Sequence, residues 1–326
     1  MKTFFRVLSV FIFIFIAVTS FSVRYIKNYL NSSINLKDKF VTVEKGYGVN
    51  KIIQVLNNEK IINNKLLFKI ILIVRTKNNV NLKYGEYFFK KNLKISEVMD
   101  ILISGKNYLR SITFAEGLTN HSILKLINEN EFLTGSITSY QAPEGVLLPE
   151  TYFFQKGDTR EGLIKNMRED LIDFLKKEWE KRADDLPYKT MKEALIMASI
   201  IEKETGVDEE RGLVASVFVN RLKIDMPLQT DPTSIYGYAK GDLGKEKDIK
   251  THILLRENSP YNTYKNKGLP PTPICNPGKK SIIAALHPTK SDYIFFVADG
   301  DGKHLFAEDY EQHKKNVELL KKKLKK

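Results

Sequence analysis

The chain has 326 residues, of which 42% are hydrophobic, and its net charge at neutral pH is +13. This length is sufficient for a membrane anchor and two modest domains. The lysines do not interleave with aromatic residues in any recognisable nucleic-acid module, so we do not expect nucleic acid as a partner. The single cysteine, Cys275, excludes an intramolecular disulfide and a cysteine-based zinc site. The five histidines lack ligand spacing, and no metal or cofactor is implied.

The first residues predict a membrane segment. Residues 1–6 contain two basic side chains, and the uncharged residues 7–23 reach the short end of the transmembrane range, roughly 17–25 residues. We expect an uncleaved anchor with a short cytoplasmic N-terminus, because the apolar run exceeds the roughly 7–15 residues of a signal-peptide core. A cleaved signal peptide is the alternative, with Ser20 and Ser22 as small residues for a peptidase. Residues 24–38 are predicted to form a polar stalk.

Residues 39–107 predict a small α/β subdomain. The pattern indicates a strand at 41–43, helices at 49–57 and 65–75, a strand at 85–89, and a further helix for which Ser96 is a good N-cap. This order of elements is similar to the LysM-like carbohydrate-binding unit of several wall enzymes. Glycan binding by this subdomain is a hypothesis, and a spacer domain is its alternative.

Residues 108–326 predict a mainly helical domain with loop and strand additions, so the fold class is α+β. We expect helices around 121–128, 159–183, 190–204 and 281–286, a helix capped by Asp208, and a strand at 293–297. After Lys223 the helical periodicity disappears, which predicts a loop-rich region through 271.

The most informative helix precedes Gly206. Thr190 and Glu193 form a capping box at its start, and Gly206 stands where a left-handed C-cap is expected. Helical spacing then places Glu204 on the same stripe as Ile196 and Ile200. A carboxyl held against apolar side chains has a raised pKa and can act as a general acid. The alternative is that Glu202 and Glu204 both lie on the exposed end of an ordinary helix.

Two polar segments, Gln229–Thr233 and Tyr261–Tyr264, combine amides, hydroxyls and aromatic rings. Sugars need this mixture, because their hydroxyls require hydrogen-bonding partners and their rings stack on aromatic faces. Ordinary turns also use these residue types. Together with a buried glutamate, the two segments favour a glycan cleft.

Several blocks of sequence resemble the endolytic murein (peptidoglycan) lytic transglycosylase family, and their order along the chain is the same. The blocks are Ala198–Thr205, Val214–Leu222, Leu228–Thr233, Tyr261–Tyr264, Gly268–Pro271, Asn276–Gly278 and Tyr293–Gly300. The resemblance extends from about Val41 to the end, and the anchor and the LysM-like subdomain also fit it.

The resemblance implies a single-pass enzyme of the inner (plasma) membrane whose extracytoplasmic, lysozyme-like domain cuts nascent peptidoglycan strands. It implies a catalytic glutamate in the segment 202–204, which we assign to Glu204 with Glu202 as the alternate. It places near the cleft, as candidate substrate-binding residues, Gln229, Thr230, Asp231, Tyr261, Asn262 and Tyr264. Penicillin-binding proteins and other wall-synthesis proteins are implied partners.

One carboxyl suffices for a lytic mechanism, in which the 6-hydroxyl of N-acetylmuramic acid (MurNAc) attacks its own anomeric carbon and leaves a 1,6-anhydro end. Most glycosidases use a carboxylate pair, for which Asp231 and Glu150 are the candidates here. A hydrolytic muramidase using Glu204 and Asp231 is therefore one alternative. A noncatalytic wall-binding scaffold is another.

Overall fold

A computed structural model describes residues 2–33, 37–137, 143–240 and 258–325. Within these ranges the chain forms eleven α-helices, one short 3₁₀ helix and three two-stranded sheets. This mixture of helices and strands, which begins with an apolar helix, confirms the predicted class at that level. The chain divides into two compact units, unit 1 (residues 1–110 and 154–156) and unit 2 (residues 111–153 and 157–326).

The bounds of the elements follow the chain order. The helices are α1 (Lys2–Asn31), α2 (Val49–Asn58), α3 (Lys65–Arg75), α4 (Ile95–Ser104), α5 (Asn120–Glu129), α6 (Arg160–Trp179), α7 (Met191–Glu204), α8 (Arg211–Lys223), α9 (Asp231–Ala239), α10 (Lys279–Leu286) and α11 (Tyr310–Lys323). The strands are β1 (Lys39–Val43), β2 (Gly85–Phe89), β3 (Arg110–Thr113), β4 (Thr151–Phe154), β5 (Phe295–Ala298) and β6 (His304–Ala307), paired β1 with β2, β3 with β4 and β5 with β6.

Helix α1 is long and apolar enough from Phe4 to Asn31 to cross a bilayer, a property that signal sequences share. The helix continues through the first part of the segment predicted as a stalk. The last turn of α1 packs against unit 1. Tyr29 is buried in the core of that unit, and the Tyr29 hydroxyl donates to the Asn64 carbonyl at 3.2 Å. The prediction of a polar stalk at residues 24–38 therefore did not foresee that Tyr29 packs into the core of unit 1.

Unit 1 contains the strand–helix–helix–strand order that the sequence predicts. Strands β1 and β2 pair antiparallel with Val41 opposite Tyr87, and both side chains are buried beneath α2, α3 and α4 in one core. Helix α4 begins one residue before Ser96, and its N-cap is Lys94 rather than Ser96. The backbone N–H of Lys94 donates to the Glu97 carboxylate at 2.7 Å, so the acidic residue of the first turn performs the capping.

Unit 2 is built around α7. Every residue from Ala194 to Ile201 is buried, and α6, α8, α9 and α10 all contact this helix. A helix that is apolar on all sides requires such complete enclosure. The end of α7 is thereby fixed on a rigid core.

Three local predictions for unit 2 are wrong. Asp208 does not cap a helix, because it begins a 3₁₀ turn that ends at Glu210 and leads into α8. The predicted loop-rich region after Lys223 missed α9, which begins at Asp231 with Pro232 in its first turn, where proline's missing N–H has no cost. Residues 241–257 of that region lie outside the described residues. Thr205 leaves α7 in an extended conformation with φ −142°, so the chain needs no left-handed residue at Gly206.

Candidate active site

The predicted capping box fixes the start of α7. The Thr190 hydroxyl oxygen accepts from the Glu193 N–H at 3.2 Å, and the Glu193 carboxylate accepts from the Thr190 N–H at 3.0 Å. Thirteen residues after Met191 the helix ends at Glu204. The position of this carboxyl is therefore set by a capped helix rather than by a loop.

The Glu204 carboxyl is half-buried and makes its hydrogen bond to a neighbouring loop. The Thr230 hydroxyl donates to Glu204 Oε1. Burial raises the pKa of Glu204, and the negative charge of Asp231 raises it further. The Thr230 hydrogen bond and the positive field of Arg221 oppose this rise, but burial outweighs them. The expected half-buried carboxyl is present.

Glu202 has a different environment. Its Oε2 accepts from the Gly278 N–H at 2.9 Å, and its Oε1 lies 3.4 Å from Arg211 Nη1. Both side chains of this ion pair are at least 93% buried, and the Arg211 guanidinium also donates to Ser281 Oγ at 2.7 Å. The contacts of this carboxylate join α7, α8 and α10.

Thr230 is held by a cluster of hydroxyls. Its backbone N–H donates to Thr263 Oγ1 at 3.0 Å, and Thr263 Oγ1 lies 2.9 Å from Thr233 Oγ1. All three threonines are almost fully buried. The Thr230 hydroxyl therefore points to Glu204 rather than to an open surface, and Thr233 and Thr263 are supporting residues that the sequence reasoning did not single out.

Asp231 and Tyr264 form the exposed side of this group. The Tyr264 hydroxyl donates to Asp231 Oδ1 at 2.7 Å, and burial together with this carboxylate raises the pKa of Tyr264. The charge of Asp231 raises the pKa of Glu204, and the charge of Glu204 raises the pKa of Tyr264. Gln229 precedes them with an exposed side chain and φ +50°, and its N–H donates to the Thr263 carbonyl at 3.1 Å.

The remaining two candidates lie elsewhere in the same loops. Asn262 is fully buried, and its Oδ1 accepts from the Tyr264 N–H at 3.0 Å, so this side chain shapes the loop that carries Tyr264. The Tyr261 hydroxyl lies 2.8 Å from Thr272 Oγ1, and its ring packs edge-on against Tyr236 with centroids 5.1 Å apart. The structure thus brings Thr230, Asp231 and Tyr264 to Glu204.

A second buried carboxyl, Glu144, was not singled out from the sequence. It accepts from the Asn120 N–H at 2.7 Å, the Tyr236 hydroxyl at 3.3 Å and Asn276 Nδ2 at 3.4 Å. Burial raises the pKa of Glu144 in spite of these donors. Its only sequence signal was its place between a proline and Gly145. The other proposed pair member, Glu150, forms an exposed ion pair with Lys279 at 2.7 Å.

Two further polar side chains act on Glu204 from the α8 and β6 side. Arg221 is 7% exposed and donates to the carbonyls of Ile294 at 2.7 Å and Leu228 at 2.6 Å. His304 is the first residue of β6, and its Nδ1 lies 2.8 Å from the Glu210 carboxylate. The charge of Arg221 favours the ionised form of Glu204, as it must when the acid has given up its proton.

Comparison with known proteins places these features in a family. The family model described as YceG-like matches residues 41–319. The chain is 34% identical over 312 residues to a protein of Bacillus subtilis (strain 168) named endolytic murein transglycosylase, with 85% of this chain and 83% of that protein covered. A protein of the same name from Streptococcus pneumoniae (strain D39) is 30% identical and aligns with 86% of this chain, but with only 58% of its own length.

One solved structure is similar over most of its length. It is a 2.6 Å crystal structure of a putative yceG-like protein from Listeria monocytogenes, 33% identical in sequence, with a TM-score of 0.52. The match covers 86% of this chain and 98% of that one.

Proposed function

Because this chain belongs to the YceG-like family, we propose that it is a membrane-anchored endolytic transglycosylase that cuts peptidoglycan glycan strands. The relatives named endolytic murein transglycosylase support this substrate. The observation that carries the proposal is the carboxyl of Glu204, which is fixed at the end of α7 with its pKa raised by burial. The bond to be cut joins MurNAc to N-acetylglucosamine (GlcNAc).

In the first step, protonated Glu204 donates its proton to the glycosidic oxygen. The bond from this oxygen to the MurNAc anomeric carbon breaks, and the GlcNAc residue leaves with a new hydroxyl. A carboxyl must be protonated at working pH for this step, and the raised pKa of Glu204 provides that form. The positive charge that grows at the anomeric carbon is then opposite the newly formed carboxylate.

In the second step, the Glu204 carboxylate accepts the proton of the 6-hydroxyl of the same MurNAc residue. The oxygen of that hydroxyl bonds to the anomeric carbon, which closes the 1,6-anhydro ring and regenerates protonated Glu204. No water is consumed. The Thr230 hydroxyl donates to the carboxylate between the two steps, which stabilises the ionised intermediate form. An intramolecular nucleophile has a large effective concentration, so no second carboxylate is needed.

The surroundings of Glu202 support its exclusion as the acid. Its two carboxylate oxygens are engaged by buried Arg211 and by the Gly278 N–H, which join α7 to α8 and α10. We therefore propose Glu204 as the catalytic residue and assign Glu202 to the packing of α7 against α8 and α10.

The substrate contacts divide into two groups under this proposal. Gln229, Asp231 and Tyr264 are the candidates for direct contact, because Gln229 and Asp231 flank Thr230 with exposed side chains and Tyr264 donates to Asp231. Thr230 positions Glu204, and buried Asn262 positions Tyr264. Tyr261 lies beside Tyr236 and supports the loop from a separate cluster.

A hydrolytic muramidase remains the competing reaction, with Asp231 orienting a water molecule. Digestion of purified peptidoglycan in water labelled with the heavy oxygen isotope separates the two. A transglycosylase leaves the new MurNAc ends unlabelled and lighter than hydrolytic ends by one molecule of the labelled water, because no water is added. One heavy oxygen in each new end would establish hydrolysis.

We also propose that unit 1 binds glycan, as its LysM-like order of elements implies. An aromatic surface supports this role, formed by Phe40, Phe88 and Tyr108 with ring centroids 4.8 to 5.8 Å apart. The Arg110 guanidinium lies 5.2 Å from the Phe40 ring, over which it can make a cation–π contact. Phe40 is 47% exposed and Tyr108 is 37% exposed, so part of each ring is accessible to a sugar. A noncatalytic scaffold would use this surface alone.

Helix α1 supports a location at the membrane. We propose that residues 7–23 span the inner (plasma) membrane once and that the two units lie outside the cytoplasm, where peptidoglycan is built. The apolar span Phe4–Asn31 supports this placement. Penicillin-binding proteins are proposed partners on the same side of the membrane.

A further inference from the structure

Helix α3 carries an apolar face that the described residues of unit 1 leave exposed. Leu66, Ile70 and Val74 recur at four-residue spacing and are 69%, 50% and 71% exposed. The opposite face of the same helix is buried in the core through Phe68 and Leu72. Four-residue spacing places the three exposed side chains in one row on the helix surface.

The charge of α3 is of one sign. None of its eleven residues is acidic, and Lys65 and Lys69 stand beside the apolar row. A helix with an apolar face and a basic flank is the kind that lies in the headgroup layer of an anionic membrane. Long lysine side chains can extend from such a helix to lipid phosphates.

The start of α3 is tied to the end of α1. The Tyr29 hydroxyl donates to the carbonyl of Asn64, which is the N-cap of α3, and Tyr29 is buried in the same core as Phe68. If the bilayer ends at residue 23, Tyr29 lies about 9 Å farther along the continuous helix, at 1.5 Å per residue. The headgroup layer on each side of a bilayer is about 5–7 Å thick. The first turn of α3 is therefore held at the membrane surface.

We propose that the row Leu66, Ile70 and Val74 docks unit 1 onto the surface of the membrane, with the bilayer of anionic lipid as its occupant. This inference rests on the membrane anchoring proposed above. The contact between Tyr29 and Asn64 holds α3 close to the lipid surface, and Lys65 and Lys69 carry the charge opposite to that of anionic lipids. Docking gives unit 1 a second attachment to the membrane besides α1 and restricts its tilting relative to the bilayer.

Brominated lipids test the proposal in the full chain. The variant Ile70→Trp is reconstituted into vesicles of equal phosphatidylglycerol and phosphatidylcholine, brominated near the head of the acyl chain. The native protein, with Trp179 as its only tryptophan, gives the background. Phe21→Trp reports on the predicted span, and Ile283→Trp is the matched control, since Ile283 is an exposed apolar residue of α10 in unit 2.

We expect bromine to cause loss of emission from Ile70→Trp and from Phe21→Trp, but not from Ile283→Trp. The added substitution Lys69→Glu is expected to restore part of the Ile70→Trp emission. If Phe21→Trp is quenched and Ile70→Trp is not, the docking proposal fails while the anchor stands. If Phe21→Trp is also unquenched, the anchoring itself fails. Blue-shifted but unquenched emission of Ile70→Trp would show that protein covers the face, which also overturns the proposal.

Discussion

Glu202 and Glu204 lie two residues apart on α7, but their carboxyls lie in different environments. Glu202 forms an ion pair with buried Arg211, whereas Glu204 has a raised pKa and accepts a hydrogen bond from the Thr230 hydroxyl. The spacing of Ile196, Ile200 and Glu204 predicted the second environment. The neighbouring sequence could not predict the environment of Glu202, because its partners Arg211 and Gly278 lie nine and 76 residues farther along the chain.

The raised pKa of Glu204 makes a prediction about stability. Between its unfolded and folded pKa values the folded protein binds the extra proton, so the free energy of unfolding falls as pH rises through this window. Glu204→Gln removes the buried charge and keeps a hydrogen-bond acceptor for Thr230. We expect the variant to unfold at higher urea concentration than the native protein at neutral pH, with the difference vanishing at acidic pH.

The measurement is urea unfolding of both proteins across this pH range in detergent, followed by tryptophan emission. Glu193→Gln is the control, because hydrogen bonds from the helix start lower the pKa of that carboxyl and the pH dependence must have the opposite sign. A native protein that gains stability relative to Glu204→Gln with rising pH would contradict a raised pKa at Glu204.

Thr230 allows a test that separates positioning from packing. Its hydroxyl donates to the Glu204 carboxylate and lowers that pKa, so Thr230→Val is expected to raise it. The alkaline limb of the pH–rate profile, where the acid loses its proton, then moves to higher pH. Thr230→Ser keeps the hydroxyl and should keep the native profile. Equal profiles for Thr230→Val and the native enzyme would mean that the hydroxyl does not act on the catalytic acid.

At the scale of elements, the sequence predicted what short-range pattern determines. The capping box of α7, the bounds of α3 and the strand β2 all follow from residues within one or two turns. The segment after Lys223 was harder to predict, because α9 has little amphipathic signal and carries Pro232 in its first turn. The buried cluster of Thr230, Thr233 and Thr263 depends on contact between segments 30 residues apart, which no local rule gives.

The end of α7 gives a prediction in which sequence pattern and structure differ. A left-handed C-cap would make Gly206→Ala destabilising by about 1 kcal/mol. The structure has no positive φ at Gly206 and nothing within 4 Å of a Cβ there, so this substitution should stabilise by about 0.4–1 kcal/mol. Gly145→Ala is the contrast, because Gly145 has φ +79° and a Cβ would overlap Pro273.

Urea unfolding of the two glycine variants decides between these expectations. Gly145→Ala should lose at least about 1 kcal/mol of stability. A comparable loss in Gly206→Ala would contradict the extended exit of the chain at Thr205.

At the scale of the whole molecule, the two units have separate chemistry. Unit 2 carries the buried acid, and unit 1 carries the aromatic surface of Phe40, Phe88 and Tyr108. The sequence predicted the elements that build this surface, but not that Tyr108 and Arg110, beyond β2, would complete it. Tyr108 is placed by its N–H, which donates to the Glu86 carbonyl at 2.6 Å.

If unit 1 binds glycan, the double variant Phe40→Ala and Tyr108→Ala should bind purified, uncrosslinked glycan strands several-fold more weakly, because exposed aromatic anchors dominate such contacts. Binding is measured in the Glu204→Gln background, so that cleavage does not consume the ligand. Tyr310→Ala, which removes an exposed ring from unit 2, is the matched control and should bind as before. Unchanged affinity of the double variant would leave unit 1 as a spacer.

Mass spectrometry of peptidoglycan digested by the full chain, by Glu204→Gln and by Glu202→Gln tests both the reaction and the assignment of its acid. We expect 1,6-anhydro ends from the native protein, and we expect Glu204→Gln to form them about 10²–10⁴-fold more slowly. Glu202→Gln should lower thermal stability, because it leaves buried Arg211 with the more exposed Asp208 as its remaining charge partner, while its folded fraction still cleaves. Native activity in Glu204→Gln together with loss of activity in a folded Glu202→Gln would contradict the assignment of the acid.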